Sequence, residues 1–294
     1  MVLQMKDIKG TTRICGLIGN PVEHSISPLI HNSLAEFENI DMAYGTFRVN
    51  QGEVKKAVDG AFALNILGMN VTVPHKQEVI AALSDIDPLA EAIGAVNTLV
   101  RTENGYKGYN TDILGLEREL SDAGIKLENN RVVILGAGGA ARAIAFLCAD
   151  KKAAEVIIIN RTRTKAEDIA NAVNKHFNKE VTKVLGLDEY DRLEGNSYIM
   201  IQTSSVGLYP HNDDVIISDE VFYERASVGV DIIYNPAETM FMKLIKKQGK
   251  KAYNGLKMLL YQGVSAFELW NGVTVPDDTI KKVYDLMKKE IGIE

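Results

Sequence analysis

The chain has 294 residues, 46% hydrophobic and 24% charged, which is enough apolar material for about two soluble domains. Its 33 Lys and Arg against 39 Asp and Glu leave a net charge of -6 with no block of like charge, so composition implies no nucleic-acid surface. No apolar run approaches the roughly 18–20 residues of a membrane span; the start has no apolar leader segment, and the two distant cysteines, Cys15 and Cys148, make no disulfide framework, so a reduced, cytoplasmic setting is expected.

Short apolar runs alternate with helical patterns throughout. In the first part, strands are predicted at 13–18, 43–49, 68–73 and 96–101, with helices at 28–38, 51–63, 75–83 and 113–123. Strands at 131–135, 156–160, 181–185, 197–202 and 228–233 follow, with helices at 139–149, 164–176 and 238–248. Helices at 256–270 and 277–290 close the chain. The alternation predicts α/β layers on a mostly parallel sheet. A polar stretch, LENN, after Ala123-Gly124 marks a junction. The last two helices have no strand after them and are expected to pack back on the first domain. The predicted organisation is a first domain of residues 1–112 plus 255–294, with residues 113–254 inserted as a second.

The segment RVVILGAGGAARAIAFLCAD reads as a strand buried on both faces, a tight turn and a helix. Gly136, Gly138 and Ala141 fit G-x-G-x-x-A, which allows the turn, the approach of a pyrophosphate and close helix–strand packing. The plain alternative is a glycine-rich turn with no ligand. Placement favours a dinucleotide, because the next strand ends about 20 residues on. That strand end decides which one. An NAD site wants Asp or Glu there, whereas this chain has Asn160-Arg161-Thr162-Arg163-Thr164 and no acid before Glu167. Guanidiniums and hydroxyls suit a 2′-phosphate, so NADP is expected over NAD. The alternative is a solvated loop leading into a helix.

Four segments of the first domain combine polar side chains with Gly or Pro: GNPVEHSISPLIHN, NVTVPHK, GAVNT and GYNTD. Ser27 precedes Pro28 and an apolar stripe, as an N-cap would, whereas Ser25 has no such reason. The two hydroxyls could instead hold a carboxylate. Lys76 is expected in the first turn of a helix opened by Pro74, as a solvated lysine or, just beyond a strand, as a ligand-facing one. Asp112 is a plain N-terminal acid of a helix or a site residue, and Asn97 a turn residue or a ligand contact. Gln262 shares a helical face with Leu259, Ala266 and Trp270, and there it needs either a backbone or a ligand partner. The five histidines show no metal-ligand spacing, so no metal is expected.

Together with GAGGAARA, NRT, DIIYNPAET and NGLKMLLYQG, these segments resemble the shikimate dehydrogenase family over nearly the whole chain. The resemblance implies an N-terminal α/β substrate domain, a Rossmann-type doubly wound cofactor domain, and C-terminal helices returning to the first. It implies NADP-dependent, reversible oxidation of the 3-hydroxyl of shikimate in aromatic amino-acid biosynthesis, by a monomer or homodimer without nucleic-acid or membrane partners. Lys76 and Asp112 then look like the catalytic pair, and Ser25, Ser27, Thr72, Asn97, Tyr234 and Gln262 like substrate contacts. Gly136, Ala137, Gly138, Gly139 and Ala140 look like cofactor contacts, as do Asn160, Arg161, Thr162, Arg163, Thr164 and Lys165, with Ile232 and Gly255. Two positions depart from the family pattern: Gln202-Thr203-Ser204-Ser205 replaces an N-x-T-type turn, and Leu208 a common Met. Relatives that also take quinate, or that use NAD, share most of these motifs. A regulator on the same scaffold would keep the glycines but has no use for Lys76 with Asp112.

Overall fold

Strand β1 (Arg13–Gly19) is buried from Cys15 to its end, as a strand covered on both faces must be. In the computed structural model, which describes residues 8–293, β1 lies between two parallel neighbours, β2 (Met42–Arg48) and β3 (Gly68–Val71). The sheet is mixed, not mostly parallel as expected. Strand β5 (Thr98–Thr102) runs antiparallel to β3, and β6 (Gly105–Tyr109) antiparallel to β5. The reason is the link Glu103-Asn104, since a two-residue connection joins only antiparallel neighbours. A two-residue strand, β4 (Asp85–Ile86), completes the order β2-β1-β3-β5-β6-β4.

Helices α1 (Ser27–Phe37), α2 (Val54–Ala63) and α3 (Pro88–Ile93) belong to this unit. Helix α3 was not expected: six residues are too few for a periodic signal, although Asp87 caps it by accepting from the Leu89 and Ala90 amides at 3.0 and 3.3 Å. Ile18, Val54, Val58, Met69, Val71 and Leu99 lie in its core. The C-terminal helices α9 (Leu256–Asn271) and α10 (Asp277–Glu290) return to it. There the Trp270 indole donates to the Leu99 carbonyl at 2.9 Å, and Thr279 Oγ1 to Glu38 Oε1 at 2.7 Å.

The second unit begins along α4 (Thr111–Asp122). Its sheet comprises β7 (Arg131–Leu135), β8 (Glu155–Ile159), β9 (Thr182–Leu185), β10 (Tyr198–Gln202), β11 (Ala226–Asp231) and β12 (Lys251–Tyr253). All pairs are parallel, in the order β12-β11-β10-β7-β8-β9. This is the doubly wound arrangement with its switch point between β7 and β10, beyond whose carboxyl ends ligands sit. Helices α5 (Gly139–Asp150), α6 (Arg163–Phe177), α7 (Glu220–Glu224) and α8 (Met240–Lys247) connect the strands. Leu135, Ile159, Met200, Phe222 and Phe241 fill one side of the sheet.

One unit runs up to Thr111 and resumes over Gln262–Lys289; the other holds Asp112–Tyr261. Both junctions therefore fall inside helices, at the first residue of α4 and midway along α9. The second differs from the expected junction at 254/255, because a continuous helix carries no composition change where it passes from one unit to the other.

Candidate active site

The topology of the first sheet brings several segments to one end. Parallel β1 and β3 both finish there. Antiparallel β5 starts there, and β6, running with β3, ends there. The loops carrying Ser25, Thr72, Lys76, Asn97 and Asn110 thus share one edge of the unit.

Ser27 is not the cap of α1. Ile26 takes that position without a side-chain cap bond, and Ser27 is the first helical residue. The two serines pair instead: Ser25 Oγ donates to Ser27 Oγ at 3.1 Å and accepts from the Ser27 amide at 3.2 Å. A buried hydroxyl, that of Ser27, and a half-buried one, that of Ser25, stand side by side.

After β3, the Thr72 amide donates to the Ile18 carbonyl at 2.9 Å and its carbonyl accepts from His75 at 3.0 Å. Lys76 lies in a turn, and only a short 3₁₀ segment, Glu78–Ala82, follows in place of the expected helix over 75–83. The cause is tertiary. The Lys76 carbonyl accepts from the Val96 amide at 2.8 Å and so is not engaged in a helical ladder. The ring of His75 is fully buried, with Nε2 donating to the Val49 carbonyl at 2.8 Å.

Asn97 joins the last two polar segments. Its amide donates to the Tyr109 carbonyl at 3.0 Å. Its Oδ1 accepts from the Thr111 amide at 2.7 Å, from Thr111 Oγ1 at 3.2 Å and from Thr98 Oγ1 at 3.1 Å. The residue after Thr111 is Asp112, in the first turn of α4. Gln262, the first residue of the α9 stretch that belongs to this unit, is 9% exposed.

Two buried residues were missed. Tyr44 donates to Asn70 Oδ1 at 2.7 Å, and Asn70 Nδ2 donates to Thr98 Oγ1 at 3.1 Å. An Asn inside the buried strand GMNV was the available signal.

In the second unit, Gly136 ends β7 at φ 112°, a region that favours glycine, and a Cβ there would meet Thr203 Oγ1 at 2.8 Å. Gly138 is the N-cap of α5 and offers no side-chain cap. A Cβ on Gly138 or Gly139 would meet nothing within 4 Å. The first amides of α5 thus adjoin open space at Gly138 and Gly139, with Ala137 and Ala140 beside them and Ala141 fully buried. These residues fit a dinucleotide.

At the end of β8, Asn160 Nδ2 donates to the Thr162 carbonyl at 2.8 Å. Arg161, Thr162, Thr164 and Lys165 are exposed. The two arginines are not equivalent. Arg163 Nε holds Glu167 Oε1 at 3.0 Å and Nη1 holds Glu189 Oε2 at 2.6 Å, from a loop that local sequence does not reveal.

Across the switch point, the Ile232 amide donates to the Gln202 carbonyl at 3.1 Å and the Gly255 amide to the Ile233 carbonyl at 3.0 Å. A side chain on Gly255 would run into the Ile232 carbonyl. Asp231 is fully buried; Oδ1 accepts from the Ile233 amide at 2.9 Å and Oδ2 from Thr239 Oγ1 at 2.6 Å. Burial pushes its carboxyl up to about 6 despite both bonds, and burial raises the Tyr234 phenol as well. Gln202 closes its own loop, with Nε2 donating to the Ser204 and Val206 carbonyls at 3.1 and 3.0 Å.

Three family models match the chain: the shikimate dehydrogenase substrate binding domain over residues 17–99, shikimate/quinate 5-dehydrogenase over 118–232, and the shikimate 5′-dehydrogenase C-terminal domain over 255–283. The chain is 41% identical over 287 residues to an NADP(+) shikimate dehydrogenase of Methanobrevibacter smithii, covering 95% of this chain and 100% of that one. The chain belongs to the shikimate dehydrogenase family. Among solved structures of the family, one in complex with NADP+ is 40% identical with a TM-score of 0.87, covering 95% of this chain and 96% of that one. Another, from Listeria monocytogenes in complex with shikimate and NAD, is 31% identical with a TM-score of 0.87, covering 95% and 99%. Family structures thus hold either dinucleotide, and the choice for this chain rests on its own residues at the end of β8.

Proposed function

We propose that this protein reversibly oxidises the 3-hydroxyl of shikimate to the ketone of 3-dehydroshikimate, with NADP+ as hydride acceptor. The observation that carries the reading is the gathering of Ser25, Ser27, Thr72, Lys76 and Asn97 at one end of the first sheet, in a member of this family. When bound, NADP+ supplies the hydride-accepting nicotinamide; the protein supplies position and proton handling. Gly136 to Ala140 would cradle the pyrophosphate and Asn160 to Lys165 the 2′-phosphate, with Ile232 and Gly255 bordering the nicotinamide. Ser25, Ser27 and Tyr234 offer hydroxyl donors to the substrate carboxylate. Thr72, Asn97, Gln262 and Asp112 read the ring hydroxyls. Lys76, with Asp112, takes the hydroxyl proton as the alcohol becomes a ketone.

The test is shikimate-dependent formation of NADPH by the purified protein, with quinate and NAD+ as controls. Lys76→Ala lowers kcat by roughly 10²–10⁴-fold with a smaller change in KM. Near-normal kcat in that variant removes Lys76 from the chemistry.

A further inference from the structure

Asp231 ends β11 and is fully buried, yet the proposed chemistry gives its carboxylate no role. Both of its oxygens are engaged, and their partners lie at the two ends of one segment. Oδ1 accepts from the Ile233 amide at 2.9 Å, which turns the chain just after the strand. Oδ2 accepts from Thr239 Oγ1 at 2.6 Å. The Thr239 hydroxyl in turn accepts from the Met242 amide at 3.3 Å and so caps α8. One carboxylate therefore closes the loop 232–239 at both ends and fixes it to the helix that follows.

The loop carries Ile232 and Tyr234, read above as bordering the nicotinamide and contacting the substrate. Its flanks are tied to their neighbours: the Ile232 amide donates to the Gln202 carbonyl at 3.1 Å, and the Ile233 carbonyl accepts from the Gly255 amide at 3.0 Å. Asn254 Nδ2 donates to the Ala237 carbonyl at 2.9 Å. The Asp231–Thr239 bond joins the far end of the loop to its start. Thr239 is 1% exposed, so water does not replace that bond cheaply, and breaking it leaves a buried acceptor to be satisfied by a shift of the loop.

We propose that Asp231 and Thr239 are positioning residues: their buried bond sets the loop that carries Ile232 and Tyr234, and so aligns nicotinamide and substrate for hydride transfer. This rests on the reading that Ile232 borders the nicotinamide and Tyr234 contacts the substrate.

The test compares Thr239→Val, which removes the hydroxyl, with Thr239→Ser, which keeps it. Asp219→Ala serves as the control; it removes a cap from another helix of the same unit, where Asp219 Oδ1 accepts from the Val221 amide at 3.0 Å. The readouts are kcat, KM for shikimate and for NADP+, and melting temperature, with rates taken where every variant is folded. Thr239→Val is expected to lower kcat by roughly tenfold or more, the effect of a small misplacement of reacting groups. Its KM for NADP+ stays within about twofold, because other segments hold the phosphates. Thr239→Ser keeps kcat within about twofold, and Asp219→Ala lowers the melting temperature with kcat likewise kept. Equal loss of kcat in Asp219→Ala, or in Thr239→Ser, assigns the bond a merely structural role and overturns the proposal. Should Thr239→Val not fold, Asp231→Asn gives the same readout, since it keeps an oxygen for Ile233 and puts an amide nitrogen in the other position. Tyr234→Phe separates the proposal from the reading beneath it. Normal kcat in Thr239→Val, with KM for shikimate raised in Tyr234→Phe, overturns the proposal alone. Unchanged kinetics in Tyr234→Phe overturn the reading of Tyr234, and the proposal with it.

Discussion

The unequal surroundings of the two arginines after β8 lead to a cofactor-specific prediction. Arg161 is exposed on the loop, whereas Arg163 already gives Nε to Glu167 and Nη1 to Glu189. A charge-assisted bond to a phosphate is worth roughly 1.5–3 kcal/mol. Losing that from Arg161 corresponds to roughly 10–100-fold in kcat/KM for NADP+. NAD+ lacks the 2′-phosphate, so the same variant changes its kcat/KM by less than about twofold. For Arg163→Ala, where two donors are engaged elsewhere, the loss with NADP+ is severalfold. The assay is initial rates at saturating shikimate with each dinucleotide, for Arg161→Ala and Arg163→Ala. Equal losses on NADP+ and NAD+ in Arg161→Ala, or a larger NADP+ effect in Arg163→Ala, would refute the reasoning.

Glu119 of α4 is 2% exposed, and burial pushes its carboxyl up to about 8 although it accepts from the Met258 amide. The raised folded-state value means its ionisation opposes folding: the contribution is intact below about 4.5 and is lost as pH rises through about 8. Glu119→Gln keeps an acceptor and removes the charge, so its melting temperature exceeds that of the parent at about pH 9, by a margin that shrinks toward zero as the pH is lowered to about 4; the same offset at both contradicts the assignment. Gly138 sits at φ -93°, where any residue is at ease, with no protein atom near a Cβ. Gly138→Ala therefore leaves the melting temperature within about 2 °C but raises KM for NADP+ by about tenfold or more. Gly136→Ala, at φ 112° and against Thr203, loses stability by about 1–3 kcal/mol in thermal unfolding. Unchanged NADP+ affinity in Gly138→Ala would mean the turn does not hold the pyrophosphate.

The second unit was the more legible one. Its strands are continuous apolar runs buried on both faces, such as Val132–Leu135 within β7, and the glycine turn after β7 carries its own steric logic. The first unit hid more. Its antiparallel pair depends on a two-residue link, and its fourth strand is two residues long, below any periodic signal. The expected helix at Lys76 failed because Val96, distant in sequence, takes the Lys76 carbonyl. Ser27 read as a cap because Ser-Pro before an apolar stripe is a cap signature; only the fold shows its hydroxyl engaged by Ser25. Arg163 is captured by a glutamate 26 residues away. In each case a tertiary partner outbid the local pattern.

The most direct measurement uses shikimate carrying deuterium on the ring carbon that bears the 3-hydroxyl. The protein is incubated with this substrate and NADP+, and both products are weighed by mass spectrometry. Deuterium transferred to the reduced nicotinamide, with 3-dehydroshikimate free of label, is the predicted result. Label retained in the oxidised sugar-like acid, or no NADPH at all, would contradict the account.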